Sequence, residues 1–278
     1  RDMGPGEPRA LACDPYIRDW FVKRSSFDGV LVDIARLYEA KSPLRSWPVE
    51  ESVGFIKQTI DGDTPERMRF VISGARGSGR RTLAATVSAA VGLPLLVINA
   101  DRVDEAAWPG VFLHAQRQGY LERRAIAWVG ETMIKRLWPS VPMFPLQFVI
   151  CDTNDEPIPN PEIVERRIRM PVLGISERQN LWSKYIPAAK QWSKVELDTL
   201  SQAYRVHVGD IVDAARARVS SVPETINRVR EAGRSRPRPG APTGSTTPGS
   251  TSGWAPPPST PAGCGGSWAS RATASTRS

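Results

Sequence analysis

Hydrophobic and polar positions change rhythm at Met68. Before it, the spacing is helical. Val30, Ile34, Leu37 and Tyr38 fall on one face of a segment from Phe27 to Ala40, and Val53, Ile56 and Ile60 fall on one face from Val49 to Ile60. Ser42-Pro43 and Trp47-Pro48 separate these two predicted helices, and residues 1–15 read as loose. From Met68 onward, short apolar runs alternate with helical patterns. Strands are predicted at Arg69–Ser73, Pro94–Asn99, Ala125–Val129 and Leu146–Cys151. A short fifth strand is predicted at Ile168–Val172, demoted by Pro171 to an edge or end position. Between strands, Leu83, Val87 and Val91 mark one helix, and Trp108, Val111, Phe112 and Ala115 mark another with Pro109 in its first turn. Near-continuous apolar strands separated by helices imply a parallel sheet covered on both faces.

After Gly174 the pattern is helical only. Ser176-Glu-Arg-Gln179 has the spacing of a capping box. Helices are expected through Leu181, Trp182 and Tyr185, over Val195–Tyr204, and along the stripe Val208, Ile211, Val212, Ala215 and Val219. The fold class is therefore α/β: a parallel sheet flanked by helices, then a small helical domain. Four segments follow: a helical and linker segment 1–46, an α/β domain 47–173, a helical domain 174–222 and a disordered tail 223–278. From Arg234 to the end there is no Leu, Ile, Val, Phe, Met or Tyr, too little apolar surface to offset the entropy of ordering. Two origins stand open for this tail: a Pro/Ser/Thr linker, or out-of-frame translation of a GC-rich gene. The initial Arg1 in place of Met suggests a fragment or an incompletely read frame.

Composition narrows the chemistry. The net charge of +8 points first to nucleic acid, but five arginines and no acid lie between Arg234 and Ser278, which leaves +3 on the rest. Nucleic acid is thus not the expected partner. No apolar run reaches the ~18 residues of a membrane span. Cys13, Cys151 and Cys264 are far apart, and His114 and His207 are the two histidines, so disulfide frameworks and zinc sites are excluded. With no signal peptide, a cytoplasmic location is expected. The tryptophans, Trp47 among them, are read as core rather than as a base-stacking platform.

The sharpest motif joins the first apolar strand to its helix: Gly74, Ala75, Arg76, Gly77, Ser78, Gly79, Arg80, Arg81, Thr82. Glycines between strand and helix let backbone N–H groups converge on a phosphate at the helix N-terminus. The alternative is a glycine turn that holds no anion. The order of motifs around this loop resembles that of the AAA+ ATPases over about residues 47–220: AIAWVGE, then FVICDTN, then EIVERRIRMPV, then SERQNLW and VGDIVDAA. The closest likeness is to degenerate first modules of bacterial tandem AAA+ proteins.

That resemblance implies a P-loop NTPase sheet with a helical lid, ATP as ligand, Mg2+ as its metal, AAA+ neighbours in a homo- or hetero-oligomer, and a protein substrate to be remodelled. It places Gly74, Gly77, Ser78, Gly79, Arg80, Arg81 and Thr82 around the phosphates. Arg80 stands where that family has its phosphate-binding lysine, and Arg81 where it has the magnesium-binding hydroxyl. Glu131 aligns with the water-activating glutamate, but Gly130 replaces the aspartate before it. Asn154, or Thr153 beside it, aligns with the polar residue that orients water, and Arg166 and Arg167 with the fingers that reach a neighbour's γ-phosphate. Each position also has a plain reading: Glu131 at a helix start, Asn154 in a turn, the arginines as solvated charge. Three functions compete: an ATPase that hydrolyses ATP to remodel a partner, a catalytically degenerate module with a structural or regulatory role, and, last, a DNA-binding scaffold.

Overall fold

The computed structural model describes residues 13–23, 27–60, 66–203 and 206–234, all within one unit, Arg1–Arg236. Its strands are β1 (Ala35–Tyr38), β2 (Met68–Ser73), β3 (Leu95–Asn99), β4 (Ala125–Val129), β5 (Leu146–Cys151) and β6 (Val164–Arg169). They form one sheet in the order β1-β3-β4-β5-β2-β6. Every pairing is parallel except β1 with β3. Helices α1 (Pro15–Phe21), α2 (Val49–Ile60), α3 (Arg80–Ala90) and α4 (Trp108–Glu122) belong to this sheet layer. Helices α5 (Ile175–Tyr185), α6 (Lys194–Ala203), α7 (Val208–Arg216) and α8 (Val222–Arg234) follow it. The architecture is α/β, with a mostly parallel sheet flanked by helices.

Two hydrophobic clusters fill the interior. The larger runs from Leu31 to Met170 and centres on β2–β5, whose residues are buried almost without a break. Trp128 stacks on Phe112 at 5.1 Å and meets Trp108 edge-on at 4.9 Å. Truncating a fully buried ring of this kind costs about 3–5 kcal/mol. The smaller cluster holds Leu173, Leu181, Trp182, Leu200 and Ile211 of the helical part, with Ile226 and Val229 of α8 against it.

The edges of the sheet depart from the periodicity. Residues 29–34 are turns and Ala35–Tyr38 is a strand, not the expected helix. The open side of β3 accepts four residues in register, Ala35 opposite Ile98 and Tyr38 opposite Leu95, and this pairing overrides the local spacing. The last strand is Val164–Arg169 rather than Ile168–Val172. Pro171 has no N–H to give, and the ladder closes at Met170, whose N–H donates to Ser73 carbonyl at 2.8 Å. Helix α5 begins at Ile175, so Ser176 is in its first turn and the capping acceptor is Glu177, which takes the Gly174 N–H at 3.2 Å. Helix α8 occupies Val222–Arg234, where the tail was expected to begin at 223. Tyr204, Cys264 and the remainder of the tail lie outside the described residues, as do residues 1–12 of the leading segment.

Candidate functional site

Topology selects one place on this sheet. From β2 the chain crosses to β3, returns through β4 to β5 beside β2, and then passes over β2 to β6. The connections therefore reverse direction at the β2/β5 pair. In open parallel sheets such a reversal leaves a crevice outside the carboxyl ends of the strands. Here that crevice is a cleft of about 530 Å³. Asp101 enters it from the end of β3, Gly130 and Glu131 from β4, Cys151 and Asp152 from β5, and Gly77, Gly79, Arg80 and Arg81 from β2 and its loop. Lys184, Tyr185, Val208 and Gly209 close it from the helical side. The volume falls within the ~300–1,000 Å³ typical of small-molecule sites.

The loop from Gly74 to Gly79 runs from the end of β2 to the start of α3. Gly79 takes φ +96° beneath the Trp47 ring, where an added Cβ would lie 2.7 Å from Cζ2. Only glycine meets both demands. Gly74 packs on Met170, and the Ser78 N–H donates to Ala75 carbonyl at 3.0 Å. The Ser78 side chain is buried, its Oγ without a partner, and it does not line the cleft. No side chain caps α3, so its first N–H groups are left for another acceptor. Across the cleft, the Gly209 N–H donates to Gly77 carbonyl at 2.8 Å. A Cβ on Gly209 would come within 2.8 Å of Gly77 Cα, so helix α7 and the loop meet backbone to backbone.

The charged residues after the loop do not share one role. Arg80 folds onto the end of β5, donating to the Cys151 carbonyl and to Asp152 Oδ1, the latter at 2.6 Å. The carboxylate thus occupies the guanidinium that the resemblance assigns to phosphate. Arg81 opens to the cleft and makes no ion pair with a described residue. Desolvation lowers its pKa, and the nearby cations Arg36, Arg80 and Arg76 act in the same direction against an opposing effect of Tyr38. A guanidinium stays charged regardless, so this is an uncompensated positive site. Thr82 Oγ1 lies 3.4 Å from the Tyr38 hydroxyl.

The end of β4 is built around an aspartate from the 3-10 turn that follows β3. Asp101 accepts hydrogen bonds from Glu131 N–H at 3.1 Å, Thr132 N–H at 2.9 Å and Thr132 Oγ1 at 2.9 Å. Burial raises its carboxyl pKa, but these donors and Arg136 outweigh that and hold it below the ordinary range. Gly130 sits beneath this carboxylate at φ +126°, where a Cβ would meet Asp101 Oδ1 at 2.6 Å. These residues do not fit a magnesium ion. Arg81 replaces the hydroxyl ligand and Gly130 the carboxylate, and of the carboxylates nearby Asp101 already has three donors, Asp152 pairs with Arg80 and Asp155 accepts the Asp152 N–H, which leaves Glu131. Among the described residues no cluster of three His, Cys, Asp or Glu could hold a metal.

Of the remaining expected residues, Glu131 lines the cleft and the others lie apart from it. Asn154 lines a second hollow of about 360 Å³ with Ser73, Asp155, Arg167 and Arg169. Arg166 pairs with Glu51 of α2 and lies over the Phe55 ring at 5.6 Å. Arg167 pairs with Glu165 at 2.7 Å and Glu156 at 3.3 Å. The cleft also uses residues to which the sequence reading gave no site role: Trp47, Asp101, Asp152 and Gly209. Trp47 was visible as punctuation before Pro48 and as core, and the others declare themselves only through contacts distant in sequence. The expected core role of Trp47 holds, yet its indole Nε1 is buried without a partner beside the cleft. No protein-family model matches the sequence, and no curated protein matches it. No helix among the described residues is long and apolar enough to cross a membrane.

Proposed function

We propose that the chain is a catalytically degenerate P-loop module of the AAA+ type, which binds the phosphates of a nucleotide and does not turn ATP over. The observation that carries this reading is the Gly74–Gly79 loop, which runs into the uncapped N-terminus of α3 at the reversal point of the sheet. Backbone N–H groups and the helix dipole there favour an anion. The helical lid over the loop and the cleft volume suit a nucleotide.

The loss of turnover rests on two contacts. Arg80 is held by Asp152, and Asp101 fills the space over Gly130 that a second carboxylate would need. The arginines aligned with the fingers are engaged within the chain, so a role toward AAA+ neighbours would require breaking the Arg166–Glu51 or Arg167–Glu165 pair. Structural or regulatory work in a larger assembly is the role that remains. Glu131 favours the hydrolysing alternative, because it lines the cleft. Titration with a fluorescent ATP analogue, followed by a phosphate-release assay on the same sample, separates the two. Binding without release is expected. Tight, strictly magnesium-dependent binding with sustained release would overturn the proposal.

A further inference from the structure

The cleft wall has more unpaired positive than negative charge. Among the described residues, Arg81, Arg76, Lys41 and Lys184 make no ion pair on it. Of its carboxylates, Asp152 pairs with Arg80 and Asp213 with Arg216 at 3.4 Å, Asp101 accepts from three neutral donors, Asp155 accepts the Asp152 N–H, and Glu131 makes no ion pair with a described residue. Arg80 and Arg81 are also the first two residues of α3, with no acid in that turn. Cations at the positive end of a helix are unfavourable unless an anion sits among them. The unpartnered, nine-tenths buried Trp47 indole N–H at the same cleft is a further donor without an acceptor.

We propose that the cleft takes its polyphosphate as the metal-free anion, with Arg81 supplying the charge that a divalent cation supplies elsewhere. This rests on the nucleotide reading above. Magnesium cancels about half of a triphosphate's charge, so it would weaken attraction to fixed cations. With Arg81 and Gly130 in place of the hydroxyl and the aspartate, and Glu131 the carboxylate left for the ion, the wall returns little of that loss. Lysine at position 81 would keep the charge, whereas threonine would remove it and restore a hydroxyl.

The test is calorimetric titration of the full chain with ATP, and separately with inorganic tripolyphosphate, at matched ionic strength in EDTA and in excess magnesium. ATP is expected to bind about 10-fold more tightly in EDTA. Arg81→Lys should keep that preference and Arg81→Thr should lose it. Equal or tighter binding with magnesium overturns the inference, and the parent chain decides this even if a variant fails to fold. A folded Arg81→Thr with an unchanged preference for EDTA overturns the role of Arg81. Tripolyphosphate binding in EDTA without ATP binding would overturn the nucleotide reading and leave the anion site standing. Binding of neither probe would overturn both.

Discussion

If Asp152 occupies the guanidinium meant for phosphate, then Asp152→Asn should tighten nucleotide binding. The pair is short, at 2.6 Å, but unevenly exposed: 14% of the Arg80 side chain and 59% of the Asp152 side chain are accessible. Solvent screening at that exposure limits such a pair to about 0.5–1 kcal/mol. The substitution therefore releases at most that much toward a phosphate, a gain of about 2–5-fold in affinity. The second bond from Arg80, to the Cys151 carbonyl, persists and keeps the gain toward the lower end. The thermal midpoint should fall by no more than about 3 °C. Anisotropy titration with a fluorescent ATP analogue, repeated in an Arg80→Ala background, reads the effect. In that background only the general benefit of removing one negative charge should remain. Equal gains in the two backgrounds, or no gain in either, would refute the idea that the carboxylate competes with phosphate through Arg80.

Three other outcomes follow from contacts elsewhere in the chain. Gly130→Asp should destabilise the chain by at least ~1–2 kcal/mol in urea melts, because φ +126° disfavours a side chain and Asp101 fills its space; combined with Arg80→Lys and Arg81→Thr it should not yield phosphate release, and turnover by that triple variant would show that Asp101 yields. Arg69 is 1% exposed and donates to Glu165 at 3.0 Å and to Ile158 carbonyl at 3.0 Å, so Arg69→Met should cost about 3 kcal/mol at pH 7. Burial raises the Glu165 pKa, yet Arg69 and Arg167 lower it overall, so this contribution is present above the unfolded carboxyl value near ~4.3 and is lost as pH falls through the lower folded value; parent and variant melts should converge in acid, and a gap that persists would count against the pairing. Burial, then the charge of Asp155, pushes the Cys151 thiol up to about 11. Mass spectrometry after iodoacetamide treatment of the native chain at pH 8 should therefore find Cys151 unmodified while exposed Cys13 reacts.

What the sequence made legible follows burial. Strands β2 to β5 announce themselves because both faces are covered and every side chain is apolar or nearly so. The edges do not. ARLY and VERRIR carry charge on the faces that meet solvent, and their identity as strands comes from the partner they pair with. The glycine loop was readable because its chemistry is local. The contacts made around it were not. Arg80 and Asp152 are 72 residues apart, and the aspartate over Gly130 comes from the turn after another strand, β3. Motif spacing lists residues in order along one chain, whereas a carboxylate arriving from a neighbouring strand has no position in that order.

The four residues of β1 have a consequence for how the chain can be divided. A cut between 46 and 47, the boundary that composition suggests, removes β1, and with it the Ile34 carbonyl that accepts the Asn99 N–H at 2.8 Å. It also removes Asp28, which binds His114 and Arg117 on α4. What remains at the margin is β3, LLVIN, an apolar strand with an unsatisfied row of N–H and C=O groups. Such a strand is a template for the same strand of another molecule. The intact edge is blunt, four residues long with Arg36 exposed on it. A shortened chain would thus precipitate by strand addition and would also lose Tyr38, Lys41, Ser42 and Leu44 from its cleft wall, so a loss of binding measured on it would not report on the glycine loop.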